Sequence, residues 1–90
     1  MIARRYDFVS YDLLPDHLRA GAEDYIENGR EPGHFLLAVL ENNLVDAFGR
    51  ADHASLAAMH NIVIWLFNEA PSSCWGSRAK VDAWIEKHDR

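Results

Sequence analysis

Apolar positions along the chain recur at helical spacing in four blocks, separated by short segments rich in turn-forming residues. Leu14, Leu18, Ala22, Tyr25 and Ile26 share one face of a first helix. Pro15 suits its opening position, and "ENG" at 27–29 suits its end. Phe35, Leu36, Val39, Leu40, Leu44, Ala47 and Phe48 define a second helix after "REPGHF". The "ENN" at 41–43 is placed to bend or split that helix, because asparagine side chains compete for backbone hydrogen bonds. "GRADHAS" breaks the pattern again, with Asp52 or Ser55 as the cap of a third helix running to about Glu69.

That third helix carries an apolar stripe of Leu56, Met59, Val63, Leu66, Phe67 and Ala70. Ile62, Ile64 and Trp65 add apolar surface on its other sides. A helix apolar almost all round is either central or half-covered by a partner. In a chain of 90 residues this predicts a homo-oligomer formed through Ile62, Ile64 and Trp65. Pro71 stops the helix, and Ser77 caps a last one on which Val81, Trp84, Ile85 and His88 recur. Tyr6 and Phe8 alternate with polar neighbours, compatible with a short strand. No second strand follows, so residues 1–13 are expected to form an extended arm on the helices or on a partner. The predicted fold is all-α, one domain over 1–90: a compact bundle of four to five short helices at 14–90, with the N-terminal arm.

Composition narrows the function classes. A hydrophobic fraction of 49% with 26% charged residues is that of a globular chain, and one cysteine forms no internal disulfide, which fits a reducing cytoplasm. The net charge of −5 argues against a broad nucleic-acid surface, which needs Lys and Arg to neutralise phosphates. It leaves room for a small anion site. The two arginines near the N-terminus have no apolar core behind them, so no signal peptide is expected. The run "IVIWLF" at 62–67 is too short to span a bilayer, and no membrane association is expected.

No catalytic or metal-binding motif emerges. His53 and His60 lie seven apart beside Asp52, short of the three or four ligands of a zinc site, and no metal or cofactor is expected. Cys74 with His34 or His60 would be the one nucleophile–base pair of a small enzyme. A lone cysteine beside an apolar run more commonly packs as a small hydrophobe, so the chain is taken as non-enzymatic. Binding is better supported. "SSCWGSRAK" at 72–80 supplies serine hydroxyls, including Ser73 and Ser77, and the free amides that open the last helix. Arg78 and Lys80 fall in that helix's first turn, where cations oppose the macrodipole unless an anion sits there. Trp75 next to them offers a stacking face for a base. The candidate ligand-binding residues are therefore Trp75, Ser73, Ser77, Arg78 and Lys80, with His34 from the similar "EPGH" turn. A plain capped loop, with Trp75 plugging the bundle end, explains the same residues without a ligand.

"LPDHLRAGAEDYIENG", "PGHFLLAVLENNLVDAF" and "NEAPSSCWGS…KVDAWI" together resemble small proteins of tailed bacteriophages and prophages, with their EAPxxCxGS-type turn and a final helix bearing a tryptophan. The resemblance runs from about Tyr11 onward. It implies a small accessory phage protein in a host bacterial cytoplasm, and it carries over no site residue. Small acidic phage proteins often act by binding, including against host defence. The expected function is sequestration of a small nucleotide-type signal. The alternative is a protein–protein inhibitor or adaptor of a host complex, using the acidic series Asp7, Asp12, Asp16, Glu23, Asp24 and Glu27.

Overall fold

The computed structural model describes Tyr6 and residues 8–88; the first five residues of the expected arm, and Asp7, lie outside the described residues. Six α-helices and one 3-10 turn follow in order: α1 (Asp16–Asn28), α2 (His34–Leu40), α3 (Leu44–Arg50), α4 (His53–Ala57), α5 (Met59–Asn68), the 3-10 turn Ser72–Cys74, and α6 (Arg78–His88). No strand occurs among the described residues, and Tyr6 and Phe8 lie in turns. Among the described residues the all-α bundle stands, with six helices in place of four to five.

The extra helices arise from two breaks. Asn42 takes a left-handed φ of 61°, and Asn43 then caps α3 by accepting from the Asp46 amide at 3.3 Å. Those two asparagines split the expected second helix into α2 and α3. The expected third helix breaks at Ala58 (φ −96°, ψ 5°), separating α4 from α5. Asp52 caps α4, accepting from the Ser55 amide at 2.7 Å. This bond, first of its causes, holds the Asp52 carboxyl below its ordinary 3.8. Capping by Asp52 is therefore at full strength above pH 3.8 and is lost as pH falls through the depressed folded value. Urea titrations at stepped pH should show wild-type stability falling in that acid window more steeply than that of Asp52→Asn, which keeps the cap but does not titrate.

One core joins every element except α4, which buries only Ser55. Trp65, Tyr25, Leu14, Ile26, Leu40, Ile62 and Val81 are its largest sealed side chains. The Cα radius of gyration is 12.3 Å, close to the ~12 Å that chain length gives for a single compact domain. The arm belongs to this core. Val9 is buried, the Ser10 amide donates to Glu69 Oε1 at 3.0 Å, and Trp65 Nε1 donates to the Ser10 carbonyl at 2.7 Å. Arg19 ties down the next turn by donating to the carbonyls of Tyr11, Asp12 and Leu14.

The buried face of α5 differs from the expected one. Ile62 and Trp65 are fully enclosed within the single chain and Ile64 is half-buried, so the oligomer surface assigned to these three residues is corrected. Leu56, Val63 and Phe67, expected in the core, are exposed instead. An all-round apolar helix does not encode which side faces inward; here Tyr11, whose ring lies 5.9 Å from that of Trp65, and the arm decide it. Among the described residues, no helix is long and apolar enough to cross a membrane.

Candidate functional site

The 71–80 segment is built as a rigid corner between α5 and α6. Pro71 (φ −54°) ends the α5 backbone course, and the Cys74 amide closes the 3-10 turn on the Pro71 carbonyl at 2.9 Å. Two long-range bonds fasten the corner to the bundle. The Tyr25 hydroxyl donates to the Cys74 carbonyl at 2.7 Å, and the Gly76 amide donates to the Leu40 carbonyl at 2.8 Å, satisfying an orphan carbonyl at the end of α2. Gly76 sits at φ +120°, a conformation that side-chain-bearing residues rarely adopt. Burial raises the Tyr25 hydroxyl pKa, so this donor stays protonated.

Ser77 caps α6 as expected, its Oγ accepting from the Lys80 amide at 3.2 Å. Lys80 folds back, and its Nζ donates to the Ser72 carbonyl at 3.4 Å. That carbonyl partly offsets the lysine's opposition to the helix dipole. Ser73 and Arg78 are exposed on the same corner, while Trp75 is half-buried behind it. The Trp75 Nε1 is shielded from solvent without a hydrogen-bond partner, a condition that costs on the order of 1–3 kcal/mol. His34 stands elsewhere, 3.1 Å from Arg50 Nη1 in a cavity of about 210 Å³ with Asp46, Glu31 and Glu41, and no residue of 72–80 lines that cavity. The structure thus brings Trp75, Ser73, Ser77, Arg78 and Lys80 to one corner and sets His34 apart.

Cys74 is sealed in the core, and burial pushes its thiol up to about 12. It is a packing residue without thiolate character at neutral pH. One Ser–His–Asp grouping does form: His17 Nε2 lies 3.0 Å from Ser55 Oγ and 3.7 Å from Asp52 Oδ2. Both contacts fall on one ring nitrogen and Ser55 is 2% exposed, so the grouping ties α1 to α4 and presents no nucleophile. Among the described residues, no three His, Cys, Asp or Glu side chains gather as metal ligands. In the acidic series, Asp16 pairs with Arg19 at 2.8 Å and Asp24 lies 3.8 Å from Arg30; Asp7 is outside the described residues.

The feature missed in the sequence is an apolar groove of about 260 Å³ between α3 and α5, walled on one side by Trp75. Leu44, Val63 and Phe67 form its rim, and Asn42 and Asn43 are its only polar lining. The i, i+4 pair Val63/Phe67 was a signal for it, but one that reads equally well as core.

Compared with protein-family models, curated proteins and solved structures, the chain gives no match. The resemblance to phage proteins therefore rests on the quoted segments alone.

Proposed function

We propose that the protein is a non-enzymatic binding protein that sequesters a small anionic ligand of nucleotide type at the 75–80 corner. The observation that supports this is the opening of α6. Ser77 satisfies the Lys80 amide, while helix geometry leaves the Arg78 and Ala79 amides without intrahelical carbonyls. Arg78 projects into solvent beside them, and Trp75 lies one residue before Gly76. Two amides and a guanidinium at the positive end of an 11-residue helix suit a phosphate, and the indole suits a base. The double tether through Tyr25 and Gly76 holds the corner in place before any ligand arrives, which lowers the ordering cost of binding. The proposed setting, following the resemblance, is a phage-infected bacterium in which removing a signal nucleotide blunts host defence.

Calorimetric titration with cyclic dinucleotides and ADP-ribose-type compounds tests the proposal. Arg78→Ala should weaken binding by about tenfold to a hundredfold, the loss of one charge-assisted contact, with the melting curve unchanged. No heat with any of these nucleotides, or equal affinity in Arg78→Ala, would overturn it. The second reading, a protein–protein inhibitor or adaptor, draws support from the apolar groove rather than from the acidic series. The third, an enzyme using Cys74, has lost its nucleophile to burial.

A further inference from the structure

Of the large apolar side chains exposed on this chain, five fall on α3 and α5: Leu44, Val45, Phe48, Val63 and Phe67. At 3.6 residues per turn, Ala47, Leu44, Phe48 and Val45 sweep one continuous arc of α3, with Ala47 buried and Val45 85% exposed. Ile62, Leu66, Met59, Val63 and Phe67 sweep a matching arc of α5, from sealed Ile62 to Phe67 at 76% exposed. Ala47 and Leu44 of the first arc and Leu66, Met59, Val63 and Phe67 of the second line the groove, so the core opens to solvent along this line, and Phe48 and Val45 continue the α3 arc beyond it. We infer that a second copy of this chain covers the groove.

Three observations favour that occupant. The patch is self-complementary, as a two-fold contact requires: Phe67 projects at the rim of a recess, and the same surface supplies both parts. A cavity of about 150 Å³ accepts a benzene ring, so the recess of about 260 Å³ has room for the partner's phenyl group. The lining holds no charged side chain, although the chain carries −5 overall. Two such chains repel wherever their acidic surfaces meet, and least where the contact is uncharged. The apolar area is close to the lower bound of about 600 Å² per partner for a specific interface. The exposed parts of these five residues come to roughly 500–600 Å², at the upper end for the largest apolar patch on a monomer, and their polar neighbours extend this toward the ~800 Å² per partner of a standard interface. Trp75 forms a wall of the groove and also opens the proposed ligand corner, so the two proposals share one residue and are read by separate experiments.

Sedimentation velocity on the full chain, from low micromolar to near-millimolar concentration, tests this inference. The wild type should associate with rising concentration. Phe67→Lys and Leu44→Lys, both at exposed rim positions, should each weaken association by roughly thirtyfold or more, the loss expected at an interface hot spot. Circular dichroism should show unchanged helicity. Anilinonaphthalene sulfonate fluorescence forms the second arm. A wild type that stays monomeric and binds the dye at the groove, with binding lost in Phe67→Lys, would overturn the second-copy inference and open the groove to another occupant. Association that persists undiminished in both variants would overturn it as well, because another face would then carry the contact. Nucleotide titration of Phe67→Lys, read separately, keeps the ligand proposal's outcome distinct from this one.

Discussion

Trp65→Ala should remove about 3–5 kcal/mol of stability, the usual cost of emptying a large buried aromatic site. Stabilities of small domains are about 5–15 kcal/mol, so most of the margin would go. Two losses coincide at this residue. The side chain is fully enclosed, and its removal leaves a cavity between α5, the arm and Tyr11. The Nε1–H bond to the Ser10 carbonyl at 2.7 Å disappears. That bond is one of several ties holding the arm, beside the Ser10 amide on Glu69, the Tyr6 amide on Glu27 and the Arg19 bonds to the Tyr11 and Asp12 carbonyls. Trp65→Phe helps to separate these terms, because it removes the indole donor but keeps an aromatic ring that fills most of the site. Ser10 is exposed, so its carbonyl can turn to water, and Trp65→Phe should cost far less than Trp65→Ala in urea titrations. Equal losses in the two variants would show that the arm bond, rather than the packing, dominates.

How far the fold was legible in the sequence follows from the range of the interactions involved. Pro15, Gly29, Asp52, Pro71 and Ser77 act on backbone groups a few residues away, and each ends or starts a helix where its chemistry demands. Asn42 and Asn43 belong to the same class. Ala58 does not: nothing in "LAAMH" marks the break that separates α4 from α5. The inward face of α5 was also illegible, since its choice depends on Ser10 and Tyr11, more than fifty residues earlier in the chain. At the site, Ser77 and the exposed cations were readable from local spacing. The apposition of Trp75 to Leu44, Val63 and Phe67 was not, because it joins segments brought together only by the fold. Lys80 shows the opposite error. Its charge looked misplaced at a helix start, yet a carbonyl eight residues back, Ser72, receives it.

The corner that carries Arg78 also depends on how α6 is seated on α1, and a glycine sets that seating. Gly29 ends α1 at φ +68°, and its amide donates to the Tyr25 carbonyl at 2.8 Å. The same carbonyl accepts from Trp84 Nε1 at 3.0 Å, so one acceptor joins the last turn of α1 to α6. A Cβ on Gly29 would overlap the His88 Cβ and come within 2.8 Å of its Cγ. His88 cannot easily yield, because its Nδ1 lies 2.9 Å from the Trp84 carbonyl and its ring packs 4.6 Å from that of Trp84. Gly29→Ala therefore combines a left-handed backbone penalty of about 1–2 kcal/mol with overpacking of about 1–3 kcal/mol. A loss of roughly 2–5 kcal/mol should appear in thermal melts. The double variant Gly29→Ala with His88→Gly tests the division, measured against His88→Gly alone. Removing the His88 side chain should reduce the cost of the alanine to the backbone part. An undiminished cost in that background would mean that the left-handed conformation alone, and not the close approach of α6, requires glycine here.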